Sequence, residues 1–297
     1  MQGVRSSDAF DMLADETRIR ILQELGRARG GDGAEPKTYS DLMEAVSVRD
    51  SGRFNYHLTK LRDHFVNQAE DGYVLSYEGV LVYRSIISGT WSGQPPTETF
   101  PVGSHCHECS GELLARPDDH ILHIVCSDCE TTFLAGYLPP RGYSDRSNQA
   151  VLDALNDRVR HQMKQITRSV CPWCSGKTNA GVVPVTDTPL HDRPIELAVQ
   201  HECHQCEAHA WMTIGQRLLD HPAVVSFYYR HGIDLTDRAV WELPFAVTDR
   251  CTTVREDDPL RVALAIDRER DHLDIMIDEH AAVTDVTWDW VGGHPSE

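Results

Sequence analysis

Eight of the nine cysteines fall in four Cys-x-x-Cys pairs: Cys106 with Cys109, Cys126 with Cys129, Cys171 with Cys174, and Cys203 with Cys206. A Cys-x-x-Cys turn aims two thiols at one point. Two such turns complete a tetrahedral site for zinc, with Zn–S bonds of about 2.3 Å. Sixteen residues separate the first two pairs, and 28 separate the last two. This grouping predicts two zinc ions per chain, each held by one quartet. Four thiolates leave no open position for a catalytic water, so both sites are expected to be structural.

The stretches between the turns are strand-like, for example 121–125. Gly111 and Gly176 each lie two residues after the second Cys of a leading pair, where they are expected to permit a tight turn. Both quartets resemble zinc ribbons. His105, His107, His201, His204 and His209 crowd the turns but are superfluous as ligands, and are expected at the surface or behind the thiols. Cys251 stands alone and is expected to be a buried apolar thiol in a strand. Cys171-Pro-Trp-Cys174 resembles a redox Cys-x-x-Cys. A redox site, however, needs its first Cys exposed at the start of a helix that follows a strand, and redox use explains two thiols where zinc explains four. A zinc deaminase would require His-x-Glu with Pro-Cys-x-x-Cys, which is missing here. So are the nucleophile-elbow, phosphate-loop and dinucleotide fingerprints. The chain reads as a non-enzyme.

Between the quartets, Leu152, Leu155, Val159, Met163, Ile166 and Val170 recur at helical spacing, which predicts one long helix. Residues 215–242 read as helical. Short strands are expected at 245–247, 262–266 and 273–277, with a turn at 267–270. Phe227-Tyr-Tyr229 and Trp241 read as core aromatics, with a ligand pocket as the alternative.

The N-terminal hundred residues contain no Cys. Asp15 is placed to cap a helix over 16–27, with Ile19, Leu22 and Leu25/Gly26 inward. A Gly-rich insertion follows at 30–33. Thr38-Tyr-Ser-Asp41 opens a short helix through Val46. After a turn, Ser51 is the expected cap of a helix that buries Phe54, Leu58, Leu61 and Phe65. Its other face carries Arg53, Asn55, Tyr56, Thr59 and Lys60. A hairpin over 66–76 turns at Asp71-Gly72, and a helix over 77–88 closes the unit. His57 and His64 read as structural.

Helix, helix, turn, helix, hairpin is the order of a winged helix-turn-helix. The stretches Met12-Leu-Ala-Asp-Glu-Thr-Arg-Ile-Arg-Ile-Leu22 and Phe54-Asn-Tyr-His-Leu-Thr-Lys-Leu61 resemble the ArsR-like winged-helix regulators over about 80 residues. The resemblance implies a transcriptional regulator that binds double-stranded DNA as a homodimer, through its first and post-wing helices. It places Arg49, Ser51, Arg53, Asn55, Tyr56, Lys60 and Arg62 at DNA. The chemistry agrees: Arg53 and Asn55 suit guanine and adenine edges, and Arg49, Lys60 and Arg62 suit phosphates. The hairpin tip, Glu70-Asp71, departs from the pattern by being acidic.

The whole chain has 297 residues and a formal charge of −18, with 28 Asp and only four Lys. This excludes a generic basic nucleic-acid coat and resembles haloarchaeal composition. No apolar run approaches the ~20 residues of a membrane span, and the N-terminus has no hydrophobic signal core, so a cytoplasmic protein is expected. The expected fold class is α+β. A winged helix-turn-helix occupies 1–90 and a linker 91–101. A first ribbon at 102–147, a connecting helix at 148–170 and a second ribbon at 171–214 follow. Helices and a small antiparallel sheet complete 215–297. The expected function is sequence-specific transcriptional regulation. The alternative rests on a likeness to the archaeal initiation factor related to the large subunit of eukaryotic TFIIE, which contacts the transcription machinery. A thiol oxidoreductase ranks third.

Overall fold

The computed structural model describes residues 5–30, 33–94 and 96–290. It is a mixed α+β chain with several small antiparallel sheets and two four-Cys groups. It separates into two compact units. One comprises Met1–Gln94 with Pro139–Arg141, the other Pro95–Leu138 with Gly142–Glu297.

The first unit packs five helices and a hairpin around one apolar core. Helices Ser6–Leu13 and Glu16–Arg27 are followed by Tyr39–Ala45, Ser51–Leu61 and Tyr77–Ile87. Caps set the boundaries, as orphan backbone N–H groups require. Asp15 Oδ1 accepts from the Thr17 N–H at 2.9 Å, and Ser76 Oγ accepts from the Gly79 N–H at 3.0 Å. The cap of Ser51–Leu61 is Asp50, which accepts from the Arg53 N–H at 2.9 Å. Ser51 is therefore the first helical residue and not the cap. Carboxylate and hydroxyl stood side by side in the sequence, and the carboxylate took the position. Phe54, Leu58 and Leu61 are buried with Ile21, Leu22 and Leu25. Each such side chain contributes about 1.5–3 kcal/mol relative to exposure. Ile19 is only half-buried; Ile21 takes the inward place. The hairpin pairs Val66–Ala69 with Gly72–Leu75, and Lys37 bridges to Tyr73 on its outer edge. The Gly-rich insertion forms a small pair, Arg29–Gly30 with Gly33–Ala34. Its residues 31 and 32 lie outside the described residues.

In the second unit one continuous core runs through every layer. A four-stranded antiparallel meander (Phe100–His105, Glu112–Asp118, Ile121–Cys126, Thr132–Tyr137) packs beside helix Asn148–Ile166. The linker is thus shorter than 91–101, because a strand already begins at Phe100. The helix buries Leu152, Leu155, Val159 and Ile166. It ends at Ile166, so Val170 is not part of its stripe; Val170 is 38% exposed and bridges to Lys177. A three-stranded sheet (Thr178–Pro184, Leu197–Cys203, His209–Met212) carries the second quartet.

Residues 214–247 break into short pieces, among them Ile214–Leu218 and Pro222–Arg230. The strand expected at 245–247 is instead the helix Pro244–Val247. Pro244 supplies a preset first helical position, and the Ala246 carbonyl accepts from Thr213 Oγ1 at 2.6 Å. The final sheet has four strands: Thr252–Asp257, Leu260–Arg268, Asp271–Asp278 and Val283–Asp289. Its central hairpin turns on Glu269 and Arg270, with Glu269 at φ 57°. Cys251 is half-buried just ahead of the first of these strands, not within it. Phe227 and Trp241 are core residues, while Tyr229 is 71% exposed. No helix among the described residues is long and apolar enough to cross a membrane.

Candidate functional site

The eight paired cysteines converge into two quartets, with the sulfurs of each within 4.8 Å of one another. Across the first quartet, Cys106–Cys129 and Cys109–Cys126 lie 3.7 and 3.4 Å apart. Across the second, Cys171–Cys206 and Cys174–Cys203 lie 3.7 and 3.5 Å apart. A tetrahedral metal with ~2.3 Å bonds spaces its sulfurs by roughly 3.8 Å, so both quartets fit a metal ion without rearrangement. In every pair the first cysteine is buried and the second exposed.

The four turns share one backbone solution. The N–H of each leading Cys returns to a carbonyl: Cys106 to Gly111 at 2.8 Å, Cys126 to Thr131 at 3.0 Å, Cys171 to Gly176 at 2.8 Å, and Cys203 to Ala208 at 2.9 Å. The residue directly after each second Cys is left-handed: Ser110, Glu130, Ser175 and Glu207, with φ between 54° and 64°. The glycines are therefore not the left-handed residues. Gly111 and Gly176 serve close approach instead. A Cβ at Gly111 would meet Asp128 Cγ at 2.8 Å and Cys126 Sγ at 2.9 Å, and one at Gly176 would meet Gln205 Cγ at 2.8 Å. Backbone N–H groups also point at sulfur, as from Glu108 to Cys106 at 3.3 Å and Gln205 to Cys203 at 3.4 Å.

The thiols compete for charge. Cys203 is pulled down to about 6 by the backbone N–H groups of Cys206 and Gln205. At Cys129 burial opposes ionisation, yet bonds to Thr131 and to neighbouring thiols bring it to about 6. Cys109 and Cys174 are pushed up to about 12; backbone contacts to Gly111 and Gly176 lower them, but the surrounding sulfurs outweigh this. A cluster that ionises one thiol at the expense of its neighbours accommodates four thiolates only around a cation. No histidine joins either quartet among the described residues. His105, His204 and His209 are exposed, and His107 Nε2 lies 2.8 Å from the Trp241 carbonyl. His201 is buried on the strand that leads to Cys203, and burial together with Arg217 lowers it to about 4.

The second candidate face lies on Ser51–Leu61. Ser51, Arg53, Asn55, Tyr56 and Lys60 are exposed on it, Arg49 is exposed just before it, and Arg62 is partly exposed just after. Lys60 Nζ sits 5.8 Å from the centre of the Tyr56 ring. His57 points inward, 5% exposed, with Nδ1 3.4 Å from Asp15 Oδ1. The acidic tip, Glu70 and Asp71, is exposed on the hairpin.

A family model described as Domain of unknown function (DUF7351) matches residues 103–283, which is more than half of the chain. The chain belongs to this family. The matched region contains both Cys quartets. A second model, Domain of unknown function (DUF7347), matches residues 6–86 and includes the exposed Arg/Asn face. No curated protein and no solved structure matches the chain.

Proposed function

We propose that the chain is a sequence-specific, DNA-binding transcriptional regulator whose first unit is a winged helix-turn-helix and whose two quartets hold structural zinc. The observation that carries the reading is the set of free cations on Ser51–Leu61 and its flanks. Arg49, Arg53, Lys60 and Arg62 enter no ion pair among the described residues, in a chain of charge −18. Elsewhere some arginines pair with the abundant acids, as Arg20 with Glu16, Arg116 with Glu130 and Arg255 with Asp274; what sets this face apart is that its unpaired cations cluster on one exposed helix and its flanks. Free Arg and Asn side chains on an exposed helix suit guanine and adenine edges, and the flanking cations suit phosphates. Dimerisation is supported by apolar side chains left exposed on the first and last helices of this unit: Phe10, Tyr77, Leu81 and Ile87. Four thiolates at tetrahedral spacing select zinc over harder cations.

The acidic hairpin tip favours a second reading, an initiation accessory factor that contacts RNA polymerase and promoter DNA without reading sequence. Selection of bound fragments from random DNA separates the two. One enriched sequence motif is the regulator's result; retention of DNA without enrichment is the accessory factor's.

A further inference from the structure

A cavity of about 590 Å³ lies within the second unit. Its walls come from strands Ile121–Cys126 and Thr132–Tyr137, helix Asn148–Ile166, the Cys171–Cys174 turn, the loop at Arg193 and strand His209–Met212. Leu134, Val159, Met163 and Ile166 make it apolar on one side. Tyr137, Trp173 and Trp211 supply flat aromatic faces.

Four polar groups in this lining are not used by the fold. Arg193 lines the cavity without a carboxylate partner among the described residues, and desolvation alone pulls its guanidinium down to about 10. Its neighbour Asp192 also lines the cavity, but its side chain is 87% exposed and lies 3.3 Å from His191 Nε2. Trp211 Nε1 and Gln216 Nε2 are buried donors without a partner. The Gln216 amide is held by its other end, because Oε1 accepts from the Thr213 N–H at 3.1 Å. His123 is half-buried. Burial holds it below its ordinary pKa against the pull of Asp118, with Arg116 and Arg193 adding to the shift, which favours the neutral ring. An unpaired buried donor costs about 1–3 kcal/mol; Arg193 is partly exposed, with its guanidinium crowded by protein atoms. A ligand with one negative charge compensates the Arg193 guanidinium, while Trp211 Nε1 and Gln216 Nε2 are shielded from the cavity by the protein.

We infer that this cavity binds a small aromatic monocarboxylate, with the carboxylate on Arg193 and the ring among the aromatic and apolar walls. One cation matches one negative charge; a phosphate dianion would leave charge uncompensated in an apolar pocket. The volume falls in the range of small-molecule sites, which are mostly apolar with a few fixed polar groups. The elements around the cavity carry both thiol quartets, so the site depends on the metal-bound fold but not on DNA.

The test is calorimetric titration of the full-length, metal-loaded protein with 2-naphthoate and with its neutral analogue 2-naphthamide. Naphthoate is expected to bind one per chain, quench Trp emission, and bind at least tenfold more tightly than the amide. Arg193→Met should reduce naphthoate to the amide's affinity with metal content and circular dichroism unchanged. Gln162→Trp, filling the cavity from the helix, should abolish both. Absence of saturable naphthoate binding, equal affinity of acid and amide, or an Arg193→Met protein that binds naphthoate like wild type would overturn the proposal. If Arg193→Met does not fold, the acid–amide ratio in wild type decides alone. None of these readouts involves DNA, so failure here leaves the regulator reading standing, and the reverse also holds.

Discussion

Arg53 and Arg193 mark the contrast between the two units. Arg53 stands in solvent on a helix of a small unit that contains no cysteine; Arg193 lines the interior of a unit that contains all nine. Both are free of carboxylates among the described residues, in a chain where acids outnumber bases 46 to 28. The small unit has twelve buried apolar residues in its core among the described residues, and it carries its polar chemistry on the outside. The larger unit holds a mostly apolar cavity with Arg193 in its lining. Its two quartets gather the turns between the surrounding strands around sites that fit a metal ion. On the readings proposed above, a free cation serves polyanions where it stands on an exposed helix and a single charge where it lines a cavity.

Metal removal breaks the comparison most severely. Structural zinc contributes on the order of 10 kcal/mol of binding free energy per site, comparable with a typical domain's whole net stability. Chelation is expected to unfold the second unit as a whole, because its core is continuous from Val102 to Ala281, and to leave residues 6–88 folded. Hydrogen exchange by mass spectrometry reads both units in one experiment; protection lost first in the N-terminal unit would contradict the assignment. Phe54→Ala is the converse. It empties a fully buried site and should cost about 3–5 kcal/mol, unfolding the first unit while two metal ions per chain are retained. Metal analysis beside a thermal melt checks this.

The smallest expected effect is at Asp15, which caps Glu16–Arg27 and lies beside His57. Burial works to raise its pKa, but the Arg18 N–H, the His57 ring and the Thr17 N–H outweigh it and hold the carboxyl below its usual value. A depressed carboxylate stabilises the fold above the unfolded pKa of about 3.9 and loses that contribution as pH falls through the folded value. Asp15→Ala should cost about 1 kcal/mol at neutral pH. Asp15→Asn should keep most of the cap and flatten the acid limb of the first unit's stability. Denaturant melts from pH 2 to 7 measure both.

What was legible in the sequence was what local chemistry decides. Four Cys-x-x-Cys pairs announced the quartets, and Phe54, Leu58 and Leu61 gave the inward side of their helix. Misreadings arose where neighbours in space decided. Ser51 and Asp50 are both good caps, and only the geometry at the Arg53 N–H chose between them. Residues 245–247 have strand-like composition, yet Pro244 and the bond from Thr213 made them a helix. The left-handed residues after each second Cys were hidden because Ser and Glu carry no such signal, whereas the glycines beside them do. The cavity was invisible, since its lining is gathered from positions between 121 and 216 and Arg193 sits in no motif.

The central claim is that the Ser51–Leu61 face reads DNA bases. It is tested most directly by comparing wild type, Arg53→Ala and Asn55→Ala for binding to the selected sequence and to a scrambled one, at one fixed salt concentration. The account predicts that each variant loses about 1–3 kcal/mol of preference for the selected sequence, with little change on the scrambled one. Lys60→Ala should instead weaken both sequences alike. If Arg53→Ala and Asn55→Ala both keep the full preference of wild type, the face does not read sequence and the regulator assignment fails.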